Sequence, residues 1–229
     1  KCLSRVFVTE YSCLNFSRDK NTINSLTGSF IFAVMTDLPH AFNLKKSLGQ
    51  HFLKDEAVSR RIVDALLQYP FTQLLEIGPG AGALTKYLTG NKNVHFRAVE
   101  IDREKADFLK KAYPDLIPDL LEADFLKMDC PFDGKFTVIG NFPYNISTQI
   151  LFKILDWREN VERVIGMFQK EVAQRIAARE GNKTYGVISV LLQAFYQVEY
   201  LFEVHEQAFK PAPKVKSAVI RLTPLKEPL

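Results

Sequence analysis

The sequence predicts an α/β fold: a seven-stranded, mostly parallel sheet covered by helices, with an antiparallel hairpin at one edge. Three observations predict it. From Lys45 onward, short apolar runs alternate with helix-period stretches, the pattern of strands joined by helical crossovers. The connections are short, as in a sheet covered on both faces. The last two apolar runs, 196–204 and 217–222, have no helix between them, so they are expected to pair antiparallel.

Each element has its own signal. Asp55 is a plausible N-cap for a helix that carries Val58, Ile62, Val63, Leu66 and Leu67 on one face. The run 73–77 is a short strand that breaks into glycines, and a helix follows over 83–88. Further strands are expected at 94–101, 119–123, 136–140 and 161–168. Helices are expected at 104–113, 146–155, 170–179 and 187–195. The proline-bearing stretch 209–215 joins the last two strands.

Composition sets the outer bounds. The chain has 229 residues, 47% hydrophobic and 24% charged, with a net charge of +4, an ordinary balance for a globular protein. A charge this small does not establish a nucleic-acid partner by itself. Cys2, Cys13 and Cys130 form no zinc pattern and are odd in number, so no metal is expected and a reducing compartment is the simplest reading. No apolar run approaches the ~20 residues needed to cross a bilayer, so no membrane partner is expected.

Residues 1–42 are rich in Ser, Thr and Asn and show no sustained period. They are read as an N-terminal extension of uncertain origin, with 43–229 as the catalytic domain. Met35 is the expected natural start. A targeting peptide is the competing reading, and Glu10 and Asp19 weaken it.

The first chemical signal is Glu76-Ile77-Gly78-Pro79-Gly80-Ala81-Gly82, between a strand and a helix. Glycines let the backbone turn sharply and approach a ligand. The spacing is G-x-G-x-G, not the dinucleotide pattern, and a purely structural turn stays open at this point. Glu100 ends the next strand, placed to accept both hydroxyls of a ribose. Asp102 is expected to cap the following helix. Asp124 ends the third strand beside Phe125, where it can accept from an adenine amino group. Together these positions fit a nucleoside lying across the carboxyl ends of three strands.

The second signal is Asn141-Phe142-Pro143-Tyr144 after the fourth strand. An aromatic amine is a poor nucleophile because its lone pair is delocalised into the ring. Accepting hydrogen bonds from both amine hydrogens draws the nitrogen toward tetrahedral geometry. The Asn141 side-chain oxygen and the Phe142 carbonyl can be those acceptors. Pro143 holds Phe142 extended, and Tyr144 offers a flat face for a base. No strong general base is needed, since the alkylated nitrogen becomes acidic. Read alone, the segment is an ordinary Asn-x-Pro turn; its position one strand after the nucleoside contacts gives it weight.

The block Lys46-Ser47-Leu48-Gly49-Gln50-His51-Phe52-Leu53, with Glu76 to Gly82, Glu100, Asp124, Asn141 to Tyr144 and Phe209-Lys210-Pro211-Ala212-Pro213-Lys214-Val215, resembles the ribosomal RNA adenine dimethyltransferases. The small-subunit, KsgA-like type is the nearest in pattern. The resemblance covers 45–222 and implies a Rossmann-like fold dependent on S-adenosylmethionine. It implies that His51 and Leu53 line the cofactor pocket, that Gly78 lies under the methionine part, and that Glu100 holds the ribose and Asp124 the adenine. It implies that Asn141 bridges cofactor and target amine, that Tyr144 stacks on the target base, and that Phe209 is a second aromatic closing on it. The implied reaction adds two methyls to each of two adjacent adenines near the 3′ end of small-subunit ribosomal RNA, with a role in ribosome assembly. Lys45, Lys46, Lys210, Lys214 and Lys216 are candidate phosphate contacts or plain solvated lysines. The family's small helical C-terminal domain is expected to be absent from this sequence. A cytoplasmic monomer is expected. The competing readings are a large-subunit adenine methyltransferase of the macrolide-resistance type, and a mainly non-catalytic assembly or transcription factor.

Overall fold

The computed structural model describes residues 51–227. The expectations about residues 1–42, Met35, Lys45, Lys46, Cys2 and Cys13 lie outside the described residues. Strand β1 (Phe52–Leu53) precedes helix α1 (Glu56–Leu67), and β2 (Gln73–Ile77) leads through the glycine turn into α2 (Thr85–Leu88). Then come β3 (His95–Val99), α3 (Arg103–Ala112), a 3₁₀ helix (Pro114–Asp119) and β4 (Leu120–Leu121). The chain continues through β5 (Phe136–Asn141), α4 (Ser147–Asp156), β6 (Val161–Gln169), α5 (Lys170–Ile176) and α6 (Val187–Gln193). It ends with β7 (Tyr196–Val204), β8 (Phe209–Lys210) and β9 (Ser217–Pro224).

The main sheet has seven strands in the order β4-β3-β2-β5-β6-β9-β7. The first five pair parallel, and β9 lies antiparallel between β6 and β7. The expected antiparallel hairpin lies at this edge: its second strand pairs with β6, and β7 is outermost. The reason is burial. β9 reads Ser-Ala-Val-Ile-Arg-Leu with all six residues buried, whereas most of β7 is only partly buried. A strand buried on both faces belongs inside a sheet.

Side-chain alternation splits the core into two layers. Leu74, Phe96, Ala98, Ile139, Ile165 and Val219 face α1 and α3, where Ile62, Leu66, Ala106 and Leu109 meet them. Leu75, Val99, Val138, Val164, Ile220 and Leu222 face the opposite layer, with Ile150, Leu151 and Ile154 of α4 and Ile176 of α5. Asp55 caps α1 as expected, accepting from Ala57 and Val58 N–H, and Asp102 caps α3 through Glu104 N–H. Leu67, expected on the buried face of α1, is 40% exposed. It ends the last turn, where the helix leaves the sheet.

Two elements lacked a sequence signal. β1 and β8 are two residues each and pair antiparallel, with Phe52 opposite Lys210 and Leu53 opposite Phe209. Lys54 and Asp55 N–H also donate to the Ala208 carbonyl, at 2.9 and 3.2 Å. This small sheet ties the start of the described chain to the loop between β7 and β9. The parallel strands reverse their winding between β2 and β5, and ligands in such sheets bind beyond the carboxyl ends at that switch point.

Candidate active site

Beyond Ile77 the chain turns back on itself. Gly78, Gly80 and Gly82 have φ of 66°, 58° and 81°, values that side chains with a Cβ rarely adopt. A Cβ at Gly78 would come within 3.8 Å of Pro143, and one at Gly80 within 3.8 Å of the Phe52 ring. Both would fill the space in front of β2. A Cβ at Gly82 would strike Tyr113 at 2.9 Å, so this glycine serves packing as well as the turn.

Glu100 follows β3 and is buried. Its Oε2 accepts from Gly80 N–H at 3.1 Å and its Oε1 from Asp102 N–H at 2.9 Å. Burial pushes its carboxyl up, while these two amides and Lys105 pull it down. Each oxygen keeps a further lone pair for a ligand hydroxyl. Glu76, on β2, is also buried and accepts from Thr85 Oγ1 at 2.7 Å. Burial first, and the neighbouring Glu100 charge less, push it up to about 8, so it is mostly protonated at neutral pH. Asp124 caps the turn after β4, accepting from Leu126 N–H at 3.0 Å. Phe125 packs edge-on against Trp157, with ring centroids 5.2 Å apart.

Asn141 ends β5. Its side-chain Nδ2 donates to the His51 carbonyl at 3.2 Å. That contact fixes the amide orientation and leaves Oδ1 as the acceptor, the role the chemistry requires. Phe142 is 1% exposed and meets Phe168 edge-on at 5.1 Å, and its N–H donates to the Met167 carbonyl at 3.2 Å. Tyr144 hydrogen-bonds Ser217 through its hydroxyl, and its ring lies 5.5 Å from the His51 ring, tilted by 30°. His51 Nδ1 is 2.9 Å from the Pro211 carbonyl. The β1–β8 pairing thus holds three parts of the site together: the His51 segment, the Asn141–Tyr144 segment and the loop before β9.

A cavity of about 250 Å³ joins these groups, lined by His51, Leu53, Gly78, Glu100, Asp124, Asn141, Phe142, Pro143 and Tyr144 among others. Phe209 is not brought to it. Its ring is 2% exposed and packs in the core with Leu53 and Val219, because β8 turns alternate side chains inward. The sequence reading missed Lys105, Ile101 and Ser217. Ile101 and Lys105 line the cavity. Lys105 stands three residues after Asp102, the helical i,i+3 spacing, which was a usable signal. Nothing in the sequence pointed to Ser217. Lys210, Lys214 and Lys216 are exposed on the loop before β9. Among the described residues, no group of three or more His, Cys, Asp or Glu could hold a metal.

The residues present fit a nucleoside cofactor. The cradle at Gly78 and Gly80 stays open only without side chains, Glu100 offers a ribose acceptor, and the rest of the lining is largely apolar. The family model for ribosomal RNA adenine dimethylase matches residues 41–229. The chain belongs to the ribosomal RNA adenine dimethylase family. Ribosomal RNA small subunit methyltransferase A of Cytophaga hutchinsonii is 58% identical over 181 residues, 78% of this chain and 70% of that protein. The protein of the same name from Parabacteroides distasonis is 52% identical over 181 residues, 78% of this chain and 68% of its own length. Among solved structures, the 23S rRNA methyltransferase ErmE matches with a TM-score of 0.67 at 30% identity, covering 78% of this chain and 71% of its own. A dimethyladenosine transferase from Plasmodium falciparum matches with a TM-score of 0.66 at 29% identity, covering 77% and 64%. The sheet of this adenine dimethylase family member is that of Rossmann-like methyltransferases.

Proposed function

We propose that this protein transfers methyl groups from S-adenosylmethionine to the exocyclic amine of two adjacent adenines near the 3′ end of small-subunit ribosomal RNA, giving dimethyladenosine, and that it acts in ribosome assembly. The observation that carries the mechanism is the Asn141 Nδ2 contact to the His51 carbonyl. It turns Oδ1 into a fixed acceptor at the carboxyl end of β5. Asn141 Oδ1 and the Phe142 carbonyl take the two hydrogens of the target amine and localise its lone pair. Bound S-adenosylmethionine supplies an electrophilic methyl group on its sulfonium. Tyr144 stacks on the target base, its ring held by Ser217 and His51. Base stacking of this kind offsets part of the cost of extruding an adenine, at ~1–3 kcal/mol per base.

Glu100 accepts the ribose hydroxyls, Asp124 the cofactor adenine amine, and Gly78 leaves room for the methionine part, with His51 and Leu53 closing the near side. Phe209 acts by positioning β1 through β8, not by touching the base. Residues 43–229 form the catalytic domain. No described helix is long and apolar enough to cross a membrane; the protein works as a cytoplasmic monomer on the small subunit, with Lys210, Lys214 and Lys216 near phosphates.

The small-subunit reading is favoured over the large-subunit one by identity: 58% to a small-subunit methyltransferase against 30% to ErmE. The test is transfer of labelled methyl from cofactor to undermethylated small subunits and to protein-free large-subunit RNA. Label is expected on small subunits with wild type and reduced about 100-fold or more with Asn141→Ala. Label on large-subunit RNA alone would reverse the assignment.

A further inference from the structure

Three acidic residues are buried beside one another at the site: Glu76 at 2% exposure and Glu100 at 6%, which line the cavity, and Asp102 at 3% behind them. Lys105 is buried with them, also at 3%, and lines the same cavity. Its Nζ lies 3.6 Å from Asp102 Oδ2 and 5.2 Å from the centroid of the Phe52 ring. Phe52 in turn faces the bare Cα of Gly80, whose amide donates to Glu100. The ammonium therefore sits in a closed circuit of cofactor-site groups.

Helix stability does not account for a lysine here. Lys105 is in the first turn of α3, where the helix dipole disfavours positive charge. Burying an ammonium is costly unless it is paired. Lys110 and Lys111, in the last turn of the same helix, are where the dipole favours cations. What the site gains from Lys105 is countercharge. Glu100 is pushed toward its neutral form by burial, and further by Asp102; the Asp102 and Gly80 amides and the Lys105 charge oppose this. A protonated Glu100 would lose acceptor capacity on the oxygen that carries the proton. The two backbone amides already use one lone pair on each oxygen, so little would remain for ribose.

We propose that Lys105 is a positioning residue of the cofactor site: its buried ammonium keeps Glu100 an anion, able to accept both ribose hydroxyls while it also holds the glycine turn. The proposal rests on the reading that Glu100 binds ribose. Glu76 lies near enough to feel the Glu100 charge and is largely neutral near pH 7, whereas Asp102 and Lys105 form an ion pair beside Glu100.

The test is calorimetric binding of S-adenosylhomocysteine to the full chain at pH 6, 7.5 and 9, for wild type, Lys105→Met, Lys105→Arg and Glu100→Gln. Titration of the ligand's own amine is common to all four and cancels in the ratios. Lys105→Met is expected to bind about tenfold more weakly than wild type at pH 6, the size of one charge-assisted contact, with the gap closing toward pH 9. Lys105→Arg is expected to stay within about threefold of wild type at every pH, because it keeps the charge. Glu100→Gln is expected to be weak throughout. If Lys105→Met weakens binding equally at all three pH values, or leaves it unchanged while Glu100→Gln is weak, Lys105 is a packing residue and the proposal is overturned. If Glu100→Gln binds like wild type, the ribose assignment itself falls, and the proposal with it. Should Lys105→Met fail to fold, Lys105→Gln replaces it and is read by the same pH trend.

Discussion

Tyr144 carries two roles in one side chain, and substitution separates them. Its ring is the stacking face and its hydroxyl ties it to Ser217. Tyr144→Phe keeps the ring and is expected to lower kcat/KM by about tenfold or less, the size of one hydrogen bond. Tyr144→Ala loses the platform, worth ~1–3 kcal/mol, and is expected to lower kcat/KM about 5- to 150-fold with cofactor affinity unchanged. Steady-state kinetics on undermethylated small subunits with parallel calorimetry checks both, and equal losses for the two variants would deny the stacking role. Glu76 makes a different prediction. Its carboxyl titrates near 8 in the fold and near 4.5 when unfolded. Its contribution to stability is complete below about 4.5 and is lost as pH rises to about 8, because the unfolded chain ionises first. Glu76→Gln removes that loss. The melting temperature of the variant minus that of wild type should therefore grow from pH 5 to pH 8, by several degrees; a difference independent of pH would show that Glu76 is already ionised in the fold.

At the scale of elements, the glycine turn and the β1–β8 pair shape the site. Gly82→Ala forces a Cβ into the Tyr113 ring at φ 81°. It should cost about 1–3 kcal/mol of stability, read by urea unfolding, whereas a variant as stable as wild type would mean that Tyr113 can move aside. Most of this level was legible in the sequence. Strands with three or more buried apolar residues, such as β5 and β6, declare themselves by composition. Asp55 and Asp102 announce their helices because capping is local chemistry. β1 and β8 did not show, since two-residue strands carry no period and exist only because the chain returns across the site. Phe209 was misplaced for the same reason. The resemblance implies an aromatic closing on the base there, whereas the register opposite Leu53 turns the ring into the core. Ser217 was invisible because its partner lies 73 residues away.

For the whole molecule, one topological fact gathers the chemistry. Winding reverses between β2 and β5, so the glycine turn, Glu100 and Asn141 open onto one cavity. The sequence carried this arrangement in the order of its motifs, each at a strand's carboxyl end. The position of β9 between β6 and β7 was harder to read, because it depends on which late strand buries more apolar surface. The central claim is that this cavity dimethylates adenine amines in small-subunit RNA. Its most direct test is mass spectrometry of nucleosides from undermethylated small subunits incubated with S-adenosylmethionine and the protein. N6,N6-dimethyladenosine is expected with wild type and is expected to be lost with Asn141→Ala. Cofactor binding without any methylated adenosine in that RNA would contradict it.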